Sequence, residues 1–585
     1  MTWWHFAKIV SPRTYSCHPE IMYITPKRGS MNKCFQYKTT DANIIPSDYP
    51  DLDIIRVDDV YYMVSTTMHF MPGCVILRSY NLADWEFCSY VYDELEKNQK
   101  QTLADNHGIY GKGMWAASLR YDNGIFYVAF VANDTHKTYL FTSEKIEGPW
   151  KKSEIDGFYH DLSLLFDYDE SGKRHVFLVH GNCEVHLTEL EDDLSAPKKG
   201  GIDKIIIQDD RQKVDLGYEG SHFYKINGKY YIFCIHKAKN KMRSEACFYS
   251  DKIEGPYTGG EVLCADYKNW QSGAAQGGIV QAVDGSWYAV LFQDHGALGR
   301  IPILVPVDFS SEFPVFRQNK KNDTPETEES AEVIEKVTVP DSKPDYKYEK
   351  LYGSAFLNKE GKLNPYWQWN HIHDEKIASI RNIDGKNVFS VKTDKIVKNI
   401  VQAANTLTQR VYGEHCSAYV TVDASSINEG DFAGFCALEG EYSFIALTKK
   451  DGKMKIVRAE HKINYQPWAM GVFDEDEPDI IDEIDIENVV ETGVETEIQT
   501  DYPRIKFKIE FDLTKEVQTA SFSYFNKKVN EFVVFAKPAK LRFTLDHFTG
   551  VRFAMFLYST VQKGGSAVFS DFEYSCNDKS ENCGK

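Results

Sequence analysis

Five times along this chain an apolar-alternating run meets a tight polar turn and returns as a second, aromatic-rich run. The stretches are DIIRVDDVYYMVST (53–66), SLRYDNGIFYVAF (118–130), SLLFDYDESGKRHVFLV (163–179), HFYKINGKYYIFC (222–234) and IVQAVDGSWYAVL (279–291). Asn123-Gly124, Asn227-Gly228 and Asp284-Gly285 are strong hairpin signals, because these residue pairs tolerate positive φ at the centre of a turn. A second motif follows several hairpins, as SYNLADWE (79–86), SEKIEGPW (143–150) and SDKIEGPY (250–257). Matched pairs of motifs, with further strands between them, predict five four-stranded sheets. Their radial repetition is a five-bladed β-propeller, favoured here over one large β-sandwich.

At 585 residues the chain is too long for one core. The propeller is expected over 41–316. RQNKKNDTPETEESAEVIEKVTVPDSKPDY, charged and poor in aromatics, reads as a linker over 317–346. Alternating runs such as SAYVTVDA, RIKFKIEFDL and GSAVFSDFEYS then predict a second all-β domain, a sandwich, over 347–577, with a tail at 578–585. Residues 1–40 read as an N-terminal extension, with Met31 as the expected initiator. Inside the second domain FDEDEPDIIDEIDIENVVETGVETE (473–497) reads as a solvated acidic loop.

A formal charge of −19, from 67 basic and 86 acidic residues, argues against a nucleic-acid or anionic-membrane partner. No apolar run is long enough for a membrane helix, and the opening residues lack the charged-then-apolar order of a signal peptide. Twelve scattered cysteines without a CxxC motif read as reduced thiols. The expected location is therefore cytoplasmic. The sequence assigns no oligomeric state.

HExxH, GxSxG, phosphate-loop and dinucleotide-binding motifs are all absent. What remains is a set of carboxylates at comparable places in different repeats: Asp51 before the first hairpin, Asp161 before the third and Glu219 before the fourth. The innermost strands of a propeller converge on its axis, so residues at their starts meet in one central pocket. Acids that meet there perturb one another, which is how one fold obtains an acid and a base.

The string YPD…IRVDDVYY, with GMWAASLRYDNGIFYVAF, HDLSLLFDYD, EGSHFYKINGKYYIF and GRIPILVPVDF, resembles glycoside hydrolase family 43 across the propeller. LNPYWQWNH and ANTLTQRVYGEHCSAYVTVD resemble the lectin-like, concanavalin A-like β-sandwich fused to β-xylosidases and α-L-arabinofuranosidases of that family. The resemblance implies an inverting hydrolase with Asp51 as general base, Glu219 as general acid and Asp161 as the aspartate that tunes and orients the acid. Inverting pairs stand roughly 6.5–9.5 Å apart to admit a water.

The resemblance also places Trp115 at the wall of the sugar pocket, Arg300 on substrate hydroxyls and Met68 at the pocket wall; by position Phe70 is expected near the substrate, and His222, next after the acid's turn, either there or as a core histidine. Departures from the family pattern are Leu52-Asp53 after the base, Met68 where many relatives carry an aromatic, and Ser221 after the acid. Gln276 stands where many relatives hold a metal, often calcium, through histidine; no cofactor is needed for the chemistry, and a structural calcium at the axis would fall to Gln276. The implied substrate is a small xylo- or arabinoxylo-oligosaccharide, cut from its end. An endo-arabinanase with an open groove, or a non-catalytic carbohydrate-binding propeller, are the alternatives. Asp53 is left open, as a turn residue or as an acid supporting Asp51.

Overall fold

The structure is a computed structural model that describes residues 35–104, 108–319, 331–462, 476–486, 503–545 and 547–576. Residues 1–34 of the expected extension, residues 320–330 of the expected linker, residues 473–475 and 487–497 of the acidic stretch, and the tail at 578–585 lie outside the described residues.

Five four-stranded antiparallel sheets form the propeller. Their inner strands are Asp53–Val57, Met114–Asp122, Ser163–Tyr168, Val214–Ile226 and Ala275–Gln281. Each expected hairpin joins the inner strand of a blade to the second strand, and Asn123 and Asn227 adopt positive φ at the turn. The second motif is the connection from third to fourth strand, as between Lys137–Ser143 and Lys151–Ile155.

Every blade comes from one continuous stretch of chain, so no shared strand closes the ring. Closure falls to backbone hydrogen bonds from the segment before the first blade, where the Ile44 and Tyr49 N–H groups donate to the Pro302 and Arg300 carbonyls of the fifth, and to contacts between the two blades. Arg56 Nε donates to the Gln281 carbonyl at 2.7 Å, and a Cβ on Gly278 would meet Ile54 N at 2.8 Å. Glycine is required there because the two inner strands approach so closely.

One backbone device repeats around the axis. Asp51, Ala116, Asp161, Gly220 and Gln276, at or just before the inner strands of successive blades, all adopt positive φ, between 30° and 59°. This conformation costs a non-glycine residue roughly 1–2 kcal/mol. It turns each chain sharply as it enters the blade and aims the adjoining side chains at the centre.

Two stacked antiparallel sheets make the second domain. One runs through Tyr442–Lys450, Asp431–Leu438, Arg552–Ser559, Leu407–Arg410 and Trp367–Asn370. Its last strand is not from the sandwich. Phe70–Met71, from the first blade, pairs antiparallel with Trp369 and Asn370. At the opposite edge lies Asp479–Asp485, so this part of the acidic stretch is an exposed strand and not a loop. The expected linker is likewise partly β-structure. Lys336–Asp341 pairs along its whole length with Gln36–Asp41, all but the last residue of which falls inside the expected extension.

The domains meet over a buried junction. His69 packs against Phe70, Tyr110, His371 and His547, with ring centroids 4.2 to 5.4 Å away. His69 and Tyr110 come from the propeller, His371 and His547 from the sandwich. Neither ring nitrogen of His69 finds a well-aligned hydrogen-bond partner. His371 Nε2 accepts from the Ile109 N–H at 3.0 Å. Burial, with neighbouring His371, His547 and Arg552, drives the His69 pKa well below its usual range. Beside this cluster Asp48 is buried, its Oδ1 accepting from the Arg300 N–H at 2.9 Å, and burial pushes its carboxyl up to about 6.

Candidate active site

Three layers build the centre: a charged plug on the axis, three carboxylates above it, and an aromatic wall that the second domain completes. The plug explains Asp53. Its Oδ2 accepts from Arg120 Nη1 at 2.6 Å and from the Leu119 N–H at 2.8 Å, while Oδ1 lies 3.2 Å from His222 Nδ1. Burial alone would raise this carboxyl, but Arg120 and His222 outweigh it and hold it down. Arg120 also donates to the Leu164 carbonyl, Ser163 Oγ and the Phe223 carbonyl, so one guanidinium ties four blades together. Asp53 is therefore a structural ion-pair partner. His222, expected near the substrate or in the core, belongs to the plug and not to the pocket.

Asp51 is buried, with Arg300 Nη1 donating to Oδ1 at 2.6 Å and Thr66 Oγ1 donating to Oδ2 at 2.7 Å. Arg300 is itself held by Asp294 at 3.2 Å and lies between two phenyl rings, 4.3 Å from Phe292 and 4.2 Å from Phe548. Its planar cation is thereby fixed against the carboxylate of Asp51.

Glu219 lies on the longest inner strand, between two register shifts that re-aim its side chain. It precedes its blade's positive-φ residue, Gly220, whereas Asp51 and Asp161 occupy that position themselves. Its Oε2 accepts from Asn182 Nδ2 and lies 3.2 Å from His160 Nε2.

Asp161 stands beside this pair. Burial, with the Glu219 and Asp51 charges, raises its carboxyl against the opposing pull of His160 and Arg300. For His160, burial disfavours the cation, but Asp161 and Glu219 outweigh it and raise the imidazole to about 9.

Trp115 meets Phe548 edge to face at 5.0 Å, and Met68 joins them in one apolar cluster. Trp115 Nε1 is buried without a hydrogen-bond partner. A cleft of about 340 Å³ runs from Trp115 and His160 past Asn182 and Arg211 to Glu219. Trp115 is part of the cleft lining, and Met68, fully buried, is part of the apolar cluster behind it. Phe70 is in neither: it is buried under the Arg552 guanidinium at the junction, 3.5 Å from its ring centroid.

Gln276 reaches the axis, and its side chain lies against Gly220, but among the described residues the acidic and histidine side chains close enough together to hold a metal are His160, Asp161 and Glu219, not a set centred on Gln276. Its backbone N–H donates to Glu245, and the axial carboxylate Asp53 is already neutralised by Arg120. The residues present do not fit a calcium ion at this place.

Asn182, His160, Thr66 and Phe548 were not found by sequence reasoning. His160 adjoins Asp161 in YHDLS and was open to notice; Phe548 comes from a distant loop and carried no local signal.

A five-bladed propeller with three converging carboxylates and a lectin-like second domain is the architecture of a glycosidase. The chain belongs to glycosyl hydrolases family 43, whose family model matches residues 41–314, and the Beta xylosidase C-terminal Concanavalin A-like domain matches residues 358–575. It is similar to a Beta-xylosidase of Formosa agariphila, 26% identical over 444 residues that cover 69% of this chain and 74% of the relative. It is also similar to Non-reducing end alpha-L-arabinofuranosidase BoGH43B of Bacteroides ovatus, 28% identical over 303 residues, 48% of this chain and 54% of the relative. Among solved structures, the Bifunctional GH43-CE of Bacteroides eggerthii superposes with a TM-score of 0.78 at 33% identity, covering 93% of this chain and 64% of that one. The chain is a glycoside hydrolase. No helix among the described residues is long and apolar enough to cross a membrane.

Proposed function

We propose that the chain is an exo-acting, inverting β-D-xylosidase and α-L-arabinofuranosidase that removes terminal pentoses from xylo- and arabinoxylo-oligosaccharides. The observation that carries the exo reading is the wall of Trp115 backed by Met68 and Phe548, built from both domains beside the three carboxylates. An endo-arabinanase needs an open groove at this place, and a binding module has no use for an acid trio that raises one of its own members. The relatives' names, Beta-xylosidase and alpha-L-arabinofuranosidase, support the same two substrates.

In this reading Asp51, held by Arg300 and Thr66, takes a proton from the attacking water. Glu219 gives its proton to the leaving oxygen on the opposite face of the sugar. Asp161 stands beside His160, which faces the acid, and orients the pair. Both proton transfers are made by side chains, and chelator treatment should leave turnover unchanged. A cytoplasmic setting, with imported oligosaccharides as substrate, completes the reading; cell fractionation in which activity is found outside the cell would remove that part.

The test is a panel of xylobiose, an aryl β-xyloside, an aryl α-arabinofuranoside and linear arabinan, with product configuration followed by NMR. Monomeric pentose of inverted configuration is expected. Oligosaccharide release from arabinan, or retained configuration, overturns the reading. Glu219→Gln should slow xylobiose by about 10²-fold or more and the activated aryl glycoside by less.

A further inference from the structure

Glu219 is bound by the protein through one oxygen only. Oε2 takes the Asn182 amide and faces His160 Nε2, while Oε1 has no protein hydrogen bond among the described residues. A carboxylic acid has one hydroxyl oxygen and one carbonyl oxygen, and an oxygen that already accepts two N–H donors is the carbonyl one. We propose that His160, together with Asn182, is a positioning residue that decides which oxygen of Glu219 carries the catalytic proton. This inference rests on the hydrolytic reading above.

The imidazole is well placed for this role. Its ring stands edge-on to Trp115 at 6.4 Å, so the sugar wall sets its plane. Its Nδ1 lies 3.8 Å from Asp161 Oδ1, too far for a hydrogen bond but close for charge. Asp161, Glu219 and Asp51 are the acidic groups that face it, and His180 is its cationic neighbour when charged. The order of groups is thus Asp161, imidazole, acid. The influence of Asp161 on the acid passes through a ring whose far nitrogen holds Oε2.

With the Nε2–H and the amide on Oε2, the proton sits on Oε1, the oxygen free to face the cleft, where Glu219 is part of the lining. During glycosidic cleavage Oε1–H passes its proton to the leaving oxygen as the C–O bond breaks. The resulting carboxylate keeps both N–H donors. Without them the proton distributes over both oxygens, and the productive arrangement becomes a fraction of the total.

The experiment compares His160→Phe, His160→Gln and Asn182→Ala with wild type across glycosides of graded leaving group. Leaving groups that need no proton should be nearly insensitive. Alkyl and sugar leaving groups should lose about twofold or more in kcat/KM with His160→Phe, the cost of sharing one proton between two oxygens, within the about 10²–10⁴ that general acid assistance is worth in all. His160→Gln, which keeps an N–H donor, should recover part of that loss. A loss equal for every leaving group means that His160 only places the sugar, and it overturns the proposal. A second measurement needs no turnover: the carbonyl stretch of protonated Glu219 at acid pH, isolated as the infrared difference between wild type and Glu219→Gln. It should rise in frequency in His160→Phe; an unmoved band overturns the proposal. If wild type cleaves no glycoside at all, the proposed function fails while the band still decides the role of His160.

Discussion

The catalytic floor and the domain junction adjoin along the chain, at Met68 and His69 and again at Phe548 and His547, yet they bury polar groups in opposite ways. The floor keeps charges and gives each a partner: Asp53 with Arg120 and His222, Asp51 with Arg300, Glu219 with Asn182 and His160. The junction sets the Arg552 guanidinium over an apolar ring and buries His69 with neither nitrogen in a well-aligned hydrogen bond. The same side chain is driven in two directions, with His160 raised toward the cation by carboxylates and His69 lowered by burial among other histidines. Proximity in sequence does not fix the electrostatics of a histidine; the second layer of residues does.

Breaking the axial pair should have the largest effect. Asp53→Asn leaves Arg120 buried with less than its counter-charge, and removing one partner of a buried pair costs about 3–5 kcal/mol. Chemical denaturation should show that loss, while the leaving-group dependence of the remaining native enzyme stays as in wild type.

Asp161→Asn tests whether the floor gives up stability for chemistry. The folded pKa of this carboxyl is raised above its unfolded value, so its stabilising contribution is fully present below about pH 3.8 and is lost as pH rises through about 7. The neutral amide should lower kcat by about 10²-fold. It should also raise the melting temperature above pH 7, by about 2–4 °C for each kcal/mol regained.

Phe548→Ala joins the two regions. It strips the wall from Trp115 and one face from Arg300, and an apolar pocket contact of this size is worth about 1–3 kcal/mol. KM for xylobiose should rise about tenfold, with kcat changed less, in steady-state assays.

The smallest change is His69→Phe. Because the folded pKa of His69 is depressed, its stabilising contribution is present above pH 6.5 and lost as pH falls below it. Replacing the ring by phenyl should flatten the fall in melting temperature between pH 6.5 and 5 while leaving neutral stability near wild type. A steeper acid decline would mean that the junction tolerates protonation and that the contrast between the regions is wrong.

The repeat was legible because it is local. Asn123-Gly124 and Asn227-Gly228 announce their hairpins within a few residues, and five such units leave few ways to assemble. The carboxylates were legible through the same symmetry, since equivalent strand starts must meet on one axis. Arg120 was harder, a lone charge in SLRYDNG whose counter-ion lies a blade away. His160, Asn182 and Phe548 depend on which blade and which domain face each other, and no spacing encodes that.

Lys336–Asp341 was misread for a different reason. KVTVPD and QYKTTD form a two-stranded ribbon exposed on one face, so each strand alternates polar residues and looks like a linker until its distant partner is known. His222 and Phe70 were assigned to the pocket by position alone; they sit one layer below it and one domain interface away.

The strand Phe70–Met71 bears on how such enzymes can be recombined. Two residues of the hydrolytic module complete the sheet of the other module, and the residue before them, His69, is buried in the junction. A chimera that exchanges catalytic heads between relatives, with its crossover at residues 317–346, would transplant an edge strand into a foreign sheet. Heads and tails of this lineage should therefore be inherited as matched sets. A workable graft would carry the loop from Thr67 to Pro72 along with the sandwich that receives it.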